Sequence, residues 1–322
     1  MTLAAIRAWL SDPSEPASRY RYLVDIAGQR PDSKEARATR AAVPECGWAA
    51  EILARQRPDG FWAQARGVRL PKYVSTYWQM MVLGDLAAPG NDKRIRLGLD
   101  RMMWGFGLRN KPFGDPVFGP HHCITGNTAR LFIQLGRADA PHVRRSLDWL
   151  AETQEEDGGW DCFGRKEGTL DCWEALSAWA ALGERKLSRK WKSAVERGAE
   201  FYLERHLLKE GKRRYPAWER IHYPNHYYYD FLLGLEILTM LGYGDDPRLR
   251  PALVLLRKKM RQDGTWAIES IPPDLPTGND YGTSEQIRSF LAKAKRLIVE
   301  PPHKPSKWMT LRALGVMKRV GP

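Results

Sequence analysis

Apolar residues follow a helical period along most of the chain, and two kinds of helical segment alternate. One kind is amphipathic and charged, as in VRRSLDWLAETQ, whereas the other is almost entirely apolar, as in ALSAWAAL and FLLGLEILTML. An amphipathic helix covers a core with one face, and a helix that is apolar all round is buried on every side. The pattern therefore predicts apolar inner helices surrounded by amphipathic outer helices.

The apolar segments end in Leu-Gly, and an Asp or Ser then precedes the next helix. Glycine is typical of a helix end, and Asp or Ser caps the start of a helix. The predicted ends are Gly84, Gly136, Gly183 and Gly242, and the predicted caps are Asp92, Asp139, Ser188 and Asp246. These signals predict helical hairpins at about 46–88, 92–136, 140–183, 189–242 and 246–320, with 17–43 as a candidate sixth hairpin or N-terminal cap. We expect a single all-α domain over residues 1–322.

A short turn recurs after three of the amphipathic segments. It reads QRPDGFW, QEEDGGW and MRQDGTW, so Asp, Gly and Trp keep their spacing while Met260 replaces the Gln of the other two copies. Glycine permits a tight turn, Asp can accept bonds from nearby backbone donors, Gln can bridge helix ends, and Trp can pack over the junction. We interpret the repeated residues as structural.

This turn resembles the QW repeat of squalene and oxidosqualene cyclases, over roughly residues 46–320. The segment from Trp149 to Leu182 is also similar to the repeat of protein prenyltransferase β subunits, in which Gly-Arg precedes an Asp-x-Cys element. Both families share a closed α/α toroid with a central apolar cavity, so the resemblance implies that fold. It also implies an isoprenoid-handling enzyme, with prenyl transfer or a related diphosphate-dependent step as the leading chemistry.

Charge and cysteine content indicate which partners and which cellular compartment to expect. The formal net charge of +13 favours anionic partners, but Lys and Arg are spread over helical faces, which argues against a specific nucleic-acid site. The four scattered cysteines predict reduced thiols and a cytoplasmic protein. No apolar run is long enough to cross a bilayer, so any membrane contact is expected to be peripheral.

The longest loops precede the apolar helices, which all start at one end of an alternating ring. Long loops on a rigid scaffold often carry function, and helix N-termini favour anions. We expect a cationic mouth for a diphosphate at this end. Its candidate ligands are Arg165, which the prenyltransferase resemblance implies, and Lys166, Arg213 and Arg214.

The prenyltransferase resemblance also implies a zinc site. In that family the Asp and Cys of Asp-x-Cys bind zinc together with a His of the next inner helix. Here Cys172 follows Asp171 directly, Asp230 occupies the position of that His, and His226 lies one turn earlier. The implied ligands are Asp171, Cys172 and either His226 or Asp230, and the neighbouring His122 and Cys123 could replace some of them. The alternative is that Asp171 caps a helix and Cys172 is a small buried residue.

The cyclase resemblance gives the same segment another role. Residues 171–174 look like a shortened form of the Asp-Cys-Thr-Ala-Glu of oxidosqualene cyclases, although the Asp-rich acid motif of cyclases is absent from the sequence. Asp171 or Asp230 could instead act as a lone acid, kept protonated by desolvation in an apolar cavity. Catalytic candidates are thus Asp171, Asp230 and Cys172.

Aromatic residues on or just before the apolar helices are expected to line the cavity and to favour an apolar, elongated ligand. The substrate-binding candidates among them are Trp78, Trp173, Tyr227, Tyr228 and Trp308. Two further functions remain open at this point. One is a lipid-binding toroid without catalysis, and the other is a scaffold that binds polyanions through the basic exterior.

Overall fold

The computed structural model describes residues 2–162, 164, 166–183, 185, 187–210, 213–270 and 299–321. Its helices are α1 (Leu3–Leu10), α2 (Pro16–Arg21), α3 (Lys34–Ala42), α4 (Gly47–Leu53), α5 (Thr76–Asp85), α6 (Lys93–Phe106), α7 (His122–Gln134), α8 (Pro141–Glu152), α9 (Glu174–Ala180), α10 (Arg189–Glu204), α11 (Phe231–Met240), α12 (Arg250–Lys258) and α13 (Lys307–Val320). A π-helical turn (Tyr22–Ile26) continues α2, and short 3₁₀ turns precede α9 (Leu170–Cys172) and α12 (Pro247–Leu249). Two small antiparallel pairs join β1 (Lys209–Glu210) to β2 (Arg213–Arg214) and β3 (Trp266–Ala267) to β4 (Pro305–Ser306).

The helices form an all-α toroid with an inner and an outer ring. Going round the inner ring, α5 packs on α7, α7 on α9, α9 on α11, α11 on α13, and α13 on α2 and its π-helical continuation. The ring closes through α4, which contacts both α2 and α5, and through Arg40 of α3, whose Nε donates to the Ala87 carbonyl at 3.0 Å just beyond α5. The closed α/α toroid that the resemblance implies is confirmed.

Burial separates the two rings as the hydrophobic pattern predicts. Every residue of α5 from Thr76 to Gly84 is buried, and α11 is buried from Phe231 to Leu235. In contrast, the outer helix α8 buries only one stripe, formed by Val143, Ser146, Leu147 and Leu150. Apolar area removed from water is worth roughly 25 cal/mol per Å², so this arrangement concentrates the stabilising area between the rings.

In two of its three copies, the repeated turn bonds the outer helix that it follows to the next outer helix. Gln154 Nε2 donates to the Gly158 carbonyl at 2.7 Å and to the Ala194 carbonyl of α10 at 2.9 Å, and Gln56 makes the equivalent pair of bonds. In all three copies the Trp indole donates to a carbonyl ten residues earlier, at 2.9, 2.8 and 2.9 Å. The glycine of each turn has a φ near +80 to +90°, a conformation that favours glycine. The structural interpretation of the turn is confirmed.

The third turn, which has Met260 in place of Gln, faces α1. Gly264 of this turn faces Ile6 of α1, since a Cβ atom at Gly264 would lie 2.9 Å from Ile6 Cδ1. In the first turn, Gly60 faces Leu97 of α6 in the same way. Helix α1 therefore occupies the sixth outer position and α2 the sixth inner position. The sixth hairpin is α1–α2, whereas the sequence pattern placed it at 17–43; α3 is an additional helix that packs on α2.

Two of the predicted helix boundaries are wrong. Gly84 lies inside α5, and the left-handed residue after that helix is Ala87, with φ 58°. Asp139 does not cap α8, because Ala140 occupies the N-cap and Pro141 begins the helix. The remaining caps, Asp92, Ser188 and Asp246, accept backbone N–H bonds as predicted. Within the described residues, the structure contains no helix that is both long and apolar enough to cross a membrane.

We expect Gln154→Met to lower the free energy of unfolding by about 1–2 kcal/mol, because it removes the hydrogen bonds from the turn to α10. Urea unfolding followed by circular dichroism measures the change. Met260→Leu is the matched control and should alter stability by less than about 0.5 kcal/mol, since Met260 occupies the equivalent position and is 47% exposed. An equal effect of both substitutions would contradict the structural role of the glutamine.

Candidate functional site

A cavity of about 300 Å³ lies within the inner ring. Residues of α2, α3, α5, α7, α9, α11 and α13 all line it, and five of these helices (α2, α5, α7, α9 and α11) contribute their last residue. Met240, the last residue of α11, lies on the lining and is 41% exposed, which marks a side that is open to solvent. The cavity therefore extends away from the loops that precede the inner helices.

A cluster of aromatic rings fills the space beneath those loops. His226 stacks on Tyr73 with ring centroids 5.1 Å apart and meets Trp78 edge-on at 5.0 Å. Tyr227 packs against Trp78 at 5.8 Å, and the Tyr73 and Tyr227 hydroxyls are 3.0 Å apart. This aromatic cluster joins the segments that precede α5 and α11. The second segment also supplies Tyr223 and Asn225 to the cavity lining.

The lining is more highly charged than its apolar helices suggest. It carries four arginines and two carboxylates, namely Arg21, Arg40, Arg130, Arg312, Asp85 and Glu236. Arg and Asp side chains in a protein interior are normally paired. The pairs found here define the chemistry that the cavity offers.

Arg130 projects from α7, where it is 9% exposed. Its Nη1 donates to Asp85 Oδ1 at 3.1 Å, its Nη2 donates to Asn127 Oδ1 at 3.1 Å, and its guanidinium lies 5.1 Å from the centre of the Trp173 ring. These contacts fix the orientation of the guanidinium. Its Nε is buried and has no hydrogen-bond partner among the described residues.

Arg312 makes the corresponding pair from α13. Its Nε donates to Glu236 Oε2 at 2.9 Å, and its Nη1 donates to Asn225 Oδ1 at 2.9 Å. Burial alone would raise the pKa of Glu236, but Arg312 and the neighbouring Arg21 and Arg319 hold that pKa below its usual value. Glu236 is therefore ionised at neutral pH.

The remaining two arginines give the lining a positive excess. Arg40 bonds to the backbone carbonyls of Ala87 and Gln134, which carry no net charge. Arg21 pairs with Asp25 at 2.9 Å, a carboxylate outside this lining, and reaches Glu236 only at 4.0 Å. Neutral carbonyls leave the charge of Arg40 uncompensated, so the cavity favours an anion.

Two buried donors complete the lining. The Tyr223 hydroxyl and the Trp308 indole N–H are buried and have no hydrogen-bond partner among the described residues. Burial raises the pKa of Tyr223, although the charges of Arg312 and Arg130 act in the opposite direction, so its hydroxyl keeps its proton. Buried donors normally find a partner. These two are available to a ligand in the cavity.

Of the predicted diphosphate ligands, Lys166 does not line this cavity. Lys166 is exposed and has a φ of 61°. Arg213 and Arg214 form β2 and pair through their backbones with Glu210 and Lys209. Arg165 lies outside the described residues. Their proposed role in binding an anion stays a prediction.

Of the aromatic residues predicted to line the cavity, Trp308 does so. Trp78 and Tyr227 belong to the aromatic cluster instead, and Tyr228 stacks on Tyr227 at 4.8 Å. Trp173 is fully buried behind Arg130. These four rings pack against one another and against Arg130, and their predicted role in binding a substrate stays a prediction.

The structure brings two of the predicted zinc ligands, Cys123 and Cys172, into contact with Cys162. No group of three His, Cys, Asp or Glu residues in the part of the chain that the structure describes has the arrangement of a metal site. Both ring nitrogens of His122 contact protein atoms, at 2.8 Å from the Asp161 carbonyl and 3.0 Å from Thr153 Oγ1. His226 is held in the aromatic cluster. Zinc binding stays an untested prediction.

The two candidate acids occupy different environments. Asp171 is exposed and accepts a bond from Trp218 Nε1 at 2.9 Å, so the expected desolvation in an apolar cavity is wrong for it. Asp230 is completely buried as the N-cap of α11 and accepts bonds from the backbone of Leu233 and His222. Burial raises the pKa of Asp230, but its carboxylate is occupied by these bonds and does not line the cavity.

Sequence reasoning missed the charged residues of the cavity. The signal that could have found them is a lone charge within an apolar helix: Glu236 is the only charged residue of FLLGLEILTM, and Arg130 is the only one of HCITGNTARLFIQ. A charge in a helix that is buried on all sides needs a partner. Pairing each such residue with another across the ring would have predicted a charged centre.

No family model matches the chain, and no curated protein matches it. Solved structures with a similar arrangement include a protein from Actinoplanes, with 15% identity, 96% of this chain and 90% of that chain covered, and a TM-score of 0.47. A variant of the type II terpene cyclase MstE from Scytonema, in complex with the product merosterolic acid A, has 14% identity, covers 98% of both chains and gives a TM-score of 0.45. The apo form of MstE has 17% identity, with 79% of this chain and 70% of that chain covered, and a TM-score of 0.43.

We expect Arg312→Met to lower the free energy of unfolding by about 3–5 kcal/mol, because it leaves the Glu236 carboxylate buried without its partner. The double variant Arg312→Met with Glu236→Leu should recover most of that loss. Urea unfolding of the single and double variants provides the measurement.

Arg185→Met is the matched control for this experiment. Arg185 pairs with Asp139 at 2.7 Å, but the two side chains are 53% and 85% exposed, so solvent screens the pair and the expected change in stability is much smaller than for Arg312→Met. If Arg312→Met lowered the free energy of unfolding no more than Arg185→Met does, the Glu236 carboxylate would not depend on Arg312 for its stability.

Proposed function

We propose that the protein binds an isoprenoid, or a similarly apolar small molecule that carries a compact anionic group, in the central cavity. The observation that carries the proposal is the set of four arginines against two carboxylates on the lining of an otherwise apolar ring. Apolar side chains remove an isoprenoid chain from water, and fixed guanidinium groups recognise phosphate or carboxylate oxygens.

The arrangement of side chains suggests how such a ligand would lie. Ile133, Leu233 and Ile237 provide an apolar surface on α7 and α11. The guanidinium of Arg312 lies over the Tyr223 ring, 6.0 Å from its centre, and the charge of Arg130 also acts on the Tyr223 hydroxyl. An anionic head group at this point would accept bonds from the Tyr223 hydroxyl and from Arg130 Nε, both of which are otherwise unpartnered among the described residues. The apolar chain would extend from there toward the open side at Met240.

Cavity size limits the ligand. A volume of about 300 Å³ is at the lower end of the roughly 300–1,000 Å³ range of small-molecule sites. A short isoprenoid fits this space better than a long polyprenyl chain. The volume therefore favours a short isoprenoid chain, and the elongated ligand expected from the sequence stays a prediction.

The cavity favours anion-dependent chemistry over cyclisation started by a lone aspartic acid. Glu236 is ionised beside Arg312, and a carboxylate in that state cannot donate a proton. Asp171 and Asp230, the acids proposed from the sequence, do not line the cavity. We therefore propose binding of an anionic isoprenoid as the basic function, with prenyl transfer or release of the anionic group as the reaction of an enzyme built on it.

Calorimetric titration with farnesyl diphosphate, farnesol and inorganic diphosphate tests the proposal. We expect farnesyl diphosphate to bind at least about tenfold more tightly than either of its parts, because only the intact molecule uses both the apolar and the cationic lining, and 1.4 kcal/mol is a factor of ten. Mass spectrometry of the same mixtures shows whether a product forms, which separates an enzyme from a carrier.

A cavity-filling variant locates the binding site. Ala181 lies on the lining and is half-buried, so Ala181→Trp should weaken binding of farnesyl diphosphate at least about tenfold. Ala138, also half-buried but remote from the lining, provides the matched control Ala138→Trp, which should bind like the wild type. Unchanged affinity in Ala181→Trp would place the ligand elsewhere, and no binding of any of the three probes would reject the proposal.

A further inference from the structure

Three cysteine side chains meet at the starts of two inner helices, outside the central cavity. Cys162 follows the second repeated turn, Cys172 ends the 3₁₀ turn before α9, and Cys123 lies in the first turn of α7. The sulfur atoms of Cys162 and Cys172 are 3.6 Å apart, and Cys162 Sγ accepts the backbone N–H of Cys123 at 3.3 Å. Cys162 is therefore the centre of the cluster.

We propose that Cys162 and Cys172 are a modification site, at which a peroxide oxidises the pair to a reversible disulfide. A disulfide needs a sulfur–sulfur distance of about 2.05 Å, so the two atoms must approach by roughly 1.5 Å. Rotation of the two Cys side chains about their Cα–Cβ bonds moves the sulfur atoms toward each other.

Exposure and hydrogen bonding assign different roles to the two cysteines. Cys162 keeps part of its surface exposed, whereas Cys172 is only 3% exposed, so a peroxide in solution meets Cys162 first. The N–H of Cys123, at the positive end of the thirteen-residue helix α7, points at Cys162 Sγ. It stabilises the negative charge that a sulfur carries when it attacks.

The reaction proceeds in two balanced steps. The Cys162 sulfur attacks one oxygen of hydrogen peroxide and breaks the O–O bond, which gives a sulfenic acid on Cys162 and one water. The Cys172 sulfur then attacks the Cys162 sulfur, the S–O bond breaks, and the hydroxyl leaves as a second water with the Cys172 proton. Two thiols are oxidised by two electrons in total, and one peroxide is reduced. A thiol reductant reverses the process.

The disulfide would tie the loop of residues 163–171 to the start of α9. This loop carries Lys166 and leads to Glu174, whose carboxyl group is fully buried in the first turn of α9. The bond would therefore constrain the chain on the side of the toroid opposite to the open side of the cavity. It neither requires nor uses a ligand in the cavity, so this inference is independent of the proposed function.

Peptide mapping of the full-length wild-type protein tests the proposal without any substitution. The protein is treated with hydrogen peroxide at neutral pH, the remaining thiols are alkylated, and the digest is analysed by mass spectrometry. We expect two of the four thiols to be lost, a cross-linked peptide that contains Cys162 and Cys172, and alkylated Cys46 and Cys123. Dithiothreitol should restore all four thiols.

Single substitutions identify the attacking sulfur. In Cys172→Ser, the sulfenic acid on Cys162 should persist and be trapped by dimedone, whereas Cys162→Ser should form no cross-link and no dimedone adduct at Cys172. Cys46→Ser is the matched control and should cross-link like the wild type, because Cys46 is exposed and lies outside the cluster. Full alkylation of Cys162 after peroxide treatment of the wild type, or a cross-link that joins Cys162 to Cys123 or Cys46, would overturn the proposal.

Discussion

Hydrogen bonds from the repeated turns set how neighbouring outer helices are placed around the ring, because the turns after α4 and α8 bond these helices to α6 and α10. A glutamine in two of the turns donates to both its own turn and the neighbouring helix, and a tryptophan in all three ties the turn back to the helix it leaves. Apolar inner helices alone would associate in many ways, since hydrophobic burial is not directional. The hydrogen bonds of the turns fix the orientation of neighbouring hairpins, so the inner helices lie around a common centre.

Closing the ring brings together charges that are far apart in sequence. Arg130 meets Asp85, and Arg312 meets Glu236, across gaps of 45 and 76 residues. Each of these side chains would be costly to bury alone, and each partner offsets that cost. The pairs also fix the guanidinium groups in place. An anion that enters the cavity therefore meets positive charge that is already oriented, which reduces the ordering that binding requires.

The aromatic residues take a role that differs from the one suggested by their positions. Tyr73, Trp78, His226 and Tyr227 pack against one another and fill the ring beneath the long loops. Rings of this size bury a large area and prefer edge-on or offset contacts, so a cluster is more stable than a wall that faces solvent.

The sequence by itself determined the helical hairpins, the division into inner and outer helices, and the structural role of the repeated turn. Those features depend on local hydrogen bonds and on the period of apolar residues, and a short stretch of sequence determines both. Only the tertiary structure decided that Arg130 and Arg312 share one cavity, that Asp171 is exposed, and that Cys162 lies beside Cys172. Such contacts depend on how the ring closes, because closure sets which residues of distant hairpins become neighbours.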